Sequence, residues 1–154
     1  FRLRIVGGGP LMKFLTKECN RLGLAEHVQF LGSRSQAEIK SLYINSDAFL
    51  FTGIIAKNGD RDGIPNVIPE AMSSGCLILA STFAGASEAF IEDVSGFSLS
   101  PLRPGEWTRI LSDFWYNPDS FKPMRELAFK YSKEAFDVKR TAASIVSVIQ
   151  EKIA

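Results

Sequence analysis

Cysteine and histidine are almost missing from this chain: Cys19, Cys76 and His27 are all there is of them in 154 residues. One cysteine falls in a helical pattern and the other beside an apolar strand. That gives no disulfide framework and points to a reducing compartment. A Cys–His nucleophile pair would have to recruit His27, and nothing around it reads as a nucleophile site. No apolar run approaches the roughly 20 residues that a membrane-spanning helix needs. Charge of one sign is missing too. The 18 basic and 17 acidic residues leave a net +1, without the excess or stripe that marks a nucleic-acid partner. There is no initiator Met and no signal-peptide pattern, because Phe1-Arg2-Leu3-Arg4 runs straight into a strand. These features predict a cytoplasmic domain cut from a longer chain. With 45% hydrophobic and 23% charged residues, it is expected to form one globular domain over 1–154 with a core of its own.

What is present alternates. Short apolar strands are expected at 3–6, 28–31, 48–51, 77–80 and 96–99, the first two ended by Gly and the last by Pro101. Between them lie helical patterns. Pro10 suits a first helical position, and Leu11, Phe14, Leu15, Cys19 and Leu22 repeat at helical spacing before the Gly23 cap. Ser35 with Glu38 spells a capping box ahead of Ile39, Leu42 and Tyr43. A helix should run from Asn66 to Ser74, and a short one should open at Gly85-Ala86-Ser87-Glu88. Three more are expected near 104–116, 119–134 and 137–152. Their Phe114, Trp115, Phe121, Leu127, Phe129, Tyr131, Phe136, Ile145 and Val148 read as core or domain-contact positions. This order predicts an α/β fold: a Rossmann-like parallel sheet with helices on both faces and extra C-terminal helices. Ligands of such sheets bind outside the carboxyl ends of the strands. Three loops fall there: 7–10, 32–34 and 52–66.

Gly7-Gly8-Gly9-Pro10 follows a strand and opens a helix, so backbone could approach an anion closely. A dinucleotide fingerprint fails, because Met12 stands where its third glycine belongs and no acid ends the second strand. Two readings stay open for the turn: a tight connection, or the wall of a sugar or phosphate pocket.

The densest chemistry lies in Asp60-Arg61-Asp62-Gly63-Ile64-Pro65-Asn66-Val67-Ile68-Pro69-Glu70. Asn66 can cap the helix, leaving the N–H groups of Val67 and Ile68 free to meet phosphate oxygens. Glu70 could simply favour the helix dipole. Its neighbours Ile68, Ala71 and Met72 instead suggest a half-buried carboxylate that needs partners, such as ribose hydroxyls. Asp62, on the loop in front, could accept from hydroxyls beyond the phosphates. Two acceptors bracketing an anion site describe a sugar-nucleotide site. Asp60-x-Asp62 could also hold Mg²⁺ or Mn²⁺, but it lies ten residues past a strand instead of ending one. Lys57 and Arg61 are the local cations if protein neutralises the phosphates.

Taken together, Gly9-Pro10, Val28-x-Phe30-Leu31-Gly32, Ser46-Asp47-x-Phe49-Leu50, the stretch Asp62 to Gly75, Ala84-Gly85-x-x-Glu88 and Gly96 resemble a known pattern. It is that of the C-terminal domain of retaining glycosyltransferases of family 4 (glycosyl transferases group 1), which have the GT-B fold. The resemblance covers roughly residues 3–101. It implies that this chain is the donor-binding half of a transferase that moves a sugar from a nucleotide-diphosphate sugar to an acceptor sugar or lipid-linked sugar, in polysaccharide or glycolipid synthesis. The N-terminal acceptor domain and the first strand and helix of this domain would then be absent. Catalytic roles are implied for Asp62, on donor-sugar hydroxyls, and Glu70, on the ribose. Donor contacts are implied for Gly8 and Gly9 (phosphate side), Gly32, Ser33 and Arg34 (base), and Gly63, Ile64, Pro65, Asn66 and Val67 (diphosphate). No metal or other cofactor is implied. The whole protein would be cytoplasmic or peripheral to the inner face of the membrane, and the isolated chain inactive. Asp62 is one methylene shorter than the family's usual glutamate, the 53–61 loop looks longer, and the basic pair that meets the diphosphate belongs upstream of Leu3. A non-catalytic nucleotide-sugar-binding relative or partner subunit of the same fold is the alternative.

Overall fold

A computed structural model of the chain describes residues 1–55, 59 and 63–153. They fall into two compact units, Phe1–Ser41 and Leu42–Ala154. Each is built from parallel strands joined through helices.

In the first unit, β1 (Leu3–Val6) and β2 (Val28–Gly32) pair in parallel through the crossover helix α1 (Met12–Arg21). Leu3 faces Val28 and Ile5 faces Phe30. The register then slips, so that Val6 faces Gly32. α1 begins two residues after Pro10, the Met12 amide donating to the Gly9 carbonyl at 3.2 Å. It ends as its sequence predicts. Gly23 turns left-handed at φ +68°, and the Leu24 amide returns to the Cys19 carbonyl at 2.9 Å. The capping box at the start of α2 (Gln36–Ile44) forms reciprocally: the Ser35 amide donates to Glu38 at 2.8 Å, and the Glu38 amide to Ser35 Oγ at 3.4 Å.

In the second unit, β3 (Ala48–Phe51), β4 (Leu77–Ser81) and β5 (Phe97–Leu99) form a parallel sheet with β4 in the middle. All five β4 residues are buried, as a strand covered on both faces requires. Leu77 and Leu79 join Leu99, Trp107 and Ile110 in the core, with Phe97, Phe114, Phe121 and Met124 packed around them. Ile78 points the other way, towards Phe90 and the backbone of Gly96. α3 (Val67–Met72) buries Ile68, Ala71 and Met72. α4 (Pro104–Tyr116) supplies Trp107, whose indole N–H donates to the Ser100 carbonyl at 2.9 Å. The helix expected from 119 is divided into a 3₁₀ turn, Pro118–Phe121, and α5 (Lys122–Ala135), because Pro118 and Pro123 each suit the first turn of their own segment. Asp137 caps α6 (Val138–Ile153) by accepting from the Lys139 and Arg140 amides. Of the aromatic and aliphatic positions read as core or domain contact, Phe114 and Phe121 do pack on the core, whereas Trp115, Ile145 and Val148 stand more than half exposed. No described helix is long and apolar enough to cross a membrane.

Both cysteines are free and buried. Cys76 Sγ donates towards the carbonyls of Tyr43 and Ser46, at 3.4 and 3.5 Å. Burial pushes its thiol up from 9.0 to about 11. The unfolded chain therefore ionises first as pH rises. The stability held by the neutral thiol is complete below about pH 9 and is lost towards about pH 11. Urea midpoints should hold steady up to about pH 8 and fall by about pH 10, and Cys76→Ala should flatten that part of the slope.

Candidate functional site

Glu70 sits in the first turn of α3, on the side away from buried Ile68, Ala71 and Met72. Its carboxylate is half-buried and meets Tyr43, whose hydroxyl donates to Oε2 at 3.4 Å. The Glu70 backbone carbonyl accepts from the hydroxyls of Ser73 and Ser74, at 2.8 and 3.0 Å. Glu70 also lines an open concavity of about 500 Å³ between α3, with Pro69 and Ser73, and the junction of α5 and α6, with Ser132, Lys133, Phe136, Asp137, Val138 and Lys139; none of the other described residues implied in donor contact borders it. Burial, and then the charge of Glu70, push the Tyr43 phenol well above its ordinary value. It therefore stays protonated and acts as the donor. In the sequence Tyr43 counts only as an apolar helix position. The overlooked signal was its polar tip, because a buried phenol needs a partner.

The tip of α3 departs from expectation. Asn66 already has helical dihedrals, φ −56° and ψ −26°, and its side chain makes no cap bond. With the turn begun one residue early, the Ile68 amide donates to the Pro65 carbonyl at 3.0 Å and is not free for a phosphate. Pro65 is buried, while Gly63, Ile64, Asn66 and Val67 are exposed. Gly85 holds this approach from behind. A Cβ there would stand 2.6 Å from the Gly63 carbonyl oxygen and 3.1 Å from the Ile64 nitrogen. Asp62 lies outside the described residues, as do Lys57, Asp60 and Arg61. Among the described residues, no group of three or more His, Cys, Asp or Glu side chains could hold a metal.

In the first unit the two glycine loops meet. The Gly7 amide donates to the Gly32 carbonyl at 2.9 Å. Both residues have left-handed φ, +107° and +65°, which glycine adopts without steric cost. Gly8 and Gly9 have no such φ, and no protein atom lies within 4 Å of where a Cβ would stand. They border a shallow concavity of about 340 Å³ with Ile5, Leu11 and Leu15. Ser33 and Arg34 are exposed, and the Arg34 guanidinium reaches Glu38 at 3.7 Å. His27 is turned to the chain start, with Nδ1 3.1 Å from the Phe1 carbonyl oxygen and its ring stacked on Phe1.

The family model of the glycosyl transferases group 1 matches residues 1–134. The chain belongs to the glycosyl transferases group 1. Among similar members, the amylovoran biosynthesis glycosyltransferase AmsK of Erwinia amylovora is 33% identical over 97 residues, 63% of this chain and 24% of AmsK. A GDP-mannose-dependent alpha-(1-6)-phosphatidylinositol monomannoside mannosyltransferase of Mycobacterium tuberculosis is 32% identical over 95 residues, 61% of this chain and 25% of that protein. The chain thus spans about a quarter of the length of these curated relatives. HepE from Anabaena, solved in complex with UDP, superposes with a TM-score of 0.85 at 25% identity, over 97% of this chain and 41% of HepE. This group 1 chain has the α/β fold of the C-terminal domain of GT-B glycosyltransferases.

Gly85→Ala has only backbone to push against, so it should cost about 1–3 kcal/mol by overpacking and shift the Gly63–Ile64 peptide. Gly105→Ala, where a Cβ meets nothing within 4 Å, should leave the melting temperature unchanged or raise it. Melting curves of the two variants check this.

Proposed function

We propose that this chain binds the nucleotide-diphosphate sugar of a retaining, hexosyltransferase-type glycosyltransferase that serves polysaccharide or glycolipid synthesis. The observation that carries the reading is the Glu70 carboxylate, half-buried beside a phenol in the first turn of α3. Family membership supports it, and so does the likeness to HepE in complex with UDP-glucose, at a TM-score of 0.82 and 25% identity. The chemistry of the relatives agrees: AmsK serves amylovoran biosynthesis, and the mycobacterial enzyme takes GDP-mannose.

Glu70 accepts from the ribose hydroxyls and Asp62 from hydroxyls of the transferred sugar. The exposed backbone of Gly63, Ile64, Asn66 and Val67, with Pro65 fixing its path, faces the diphosphate. Gly8 and Gly9 contact the phosphates, and Gly32, Ser33 and Arg34 the base. In the transfer, the bond from the anomeric carbon to the diphosphate oxygen breaks. A bond to the acceptor oxygen forms with the configuration kept, and the acceptor hydroxyl's proton passes to the departing diphosphate. The protein's part is to position reactants and stabilise the departing diphosphate. No metal is assigned to this site. The acceptor is held by a part of the whole protein outside this chain, so the chain alone should transfer no sugar.

A thermal-shift and calorimetry series with UDP, GDP and UDP-glucose tests donor binding. A donor site raises stability by about 2.7 kcal/mol at a hundredfold excess over Kd. Glu70→Ala should weaken binding by about 10- to 100-fold, the worth of a hydrogen bond to a charged group. If none of the three ligands shifts melting at millimolar concentration, the reading is wrong.

A further inference from the structure

Tyr43 is tied into the second unit at three points. Its backbone carbonyl accepts from Cys76 Sγ at 3.4 Å, where β4 begins. Its ring, only 9% exposed, meets Phe49 of β3 edge-on with centroids 5.6 Å apart. Its hydroxyl donates to Glu70 Oε2 at 3.4 Å. Two of these contacts belong to the core. The third reaches out of it, to the half-buried carboxylate in the first turn of α3. At 3.4 Å the contact is at the long end for a hydrogen bond from a hydroxyl.

We propose that Tyr43 is a positioning residue for the donor. Its hydroxyl occupies Oε2 of Glu70 and turns the carboxylate so that Oε1 accepts from a ribose hydroxyl. This rests on the donor-binding reading above and adds to it a specificity-determining residue that touches no ligand itself. The physical case is one of rotamers. A Glu side chain has three soft torsions, and a ligand that must fix all of them loses affinity to their entropy. A phenol anchored by its ring and backbone fixes them beforehand. It also keeps one carboxylate oxygen partnered in a half-buried setting, where an unpartnered one is costly. A phenol that only filled core space would have no bearing on which sugar the nucleotide carries.

The test uses this chain, the better-binding of UDP and GDP, and the 2′-deoxy counterpart of that nucleotide. Wild type should bind the ribonucleotide several-fold tighter than the deoxynucleotide. Tyr43→Phe keeps the ring against Phe49 but orphans one oxygen of Glu70, so it should stay folded and melt about 2–6 °C below wild type. It should bind the ribonucleotide about 3- to 10-fold more weakly, with deoxynucleotide affinity changed less than about twofold. Glu70→Gln should lose the same preference, and adding Tyr43→Phe to it should change nothing further. If Tyr43→Phe keeps the wild-type preference, or its effect persists undiminished on the Glu70→Gln background, Tyr43 is structural only and the inference falls while donor binding stands. If Tyr43→Phe fails to fold, Glu70→Gln decides: an unchanged preference in that variant overturns the inference. A wild type that binds neither nucleotide removes the donor reading, and this inference with it.

Discussion

No residue of β4 sees solvent, and this burial decides where polar chemistry can exist in the second unit. A strand flanked by β3 and β5 and covered on both faces has its backbone satisfied by the ladder and its side chains packed. Leu77 and Leu79 take the α4 side, and Ile78 the side of Phe90. The first polar side chain, Ser81, stands at the strand's end, where its Oγ accepts from the Phe83 amide at 3.0 Å. Charged residues are kept off β3, β4 and β5. α3 follows the same rule, and Glu70 is what remains on its outer side once Ile68, Ala71 and Met72 are buried.

Magnitudes decide between two roles for that carboxylate. An acid in a helix's first turn stabilises the dipole by about 0.3–1 kcal/mol. α3 is only six residues long, so its dipole is short and that effect sits at the weak end. A hydrogen bond to a charged group is worth about 1.5–3 kcal/mol, and leaving the charged group unpartnered costs as much. The Tyr43 contact therefore says more about Glu70 than its place in the helix does.

Most of the architecture could be read from residue order. Apolar strands of four or so residues, the Gly23 turn and the Ser35–Glu38 box each form as their local chemistry requires, because each depends on neighbours in sequence. Readings that depended on distant partners fared worse. One local reading also failed: Asn66 is a capping residue by type, but its neighbour Pro65 starts the turn and puts Asn66 inside it. The apolar ring of Tyr43 is legible in the helical spacing, but nothing in sequence places Glu70 beside its hydroxyl, 27 residues on. Leu11, Phe14 and Leu15 repeat at helical spacing, yet each stays more than two-fifths exposed. Periodicity marks a face without saying what covers it. Of the two acids in the proposed site, the structure bears only on Glu70, since Asp62 lies outside the described residues.

Arg125 is a quiet participant in all this. From α5 its Nε donates to the Gly75 carbonyl at 2.6 Å, at the turn that closes α3 and hands the chain to β4. α5 is therefore no removable appendage. Cutting the chain ahead of α5 would strip a buckle from the far end of the very helix that presents Glu70, and a shortened version engineered for convenience would carry a loosened helix into every binding assay.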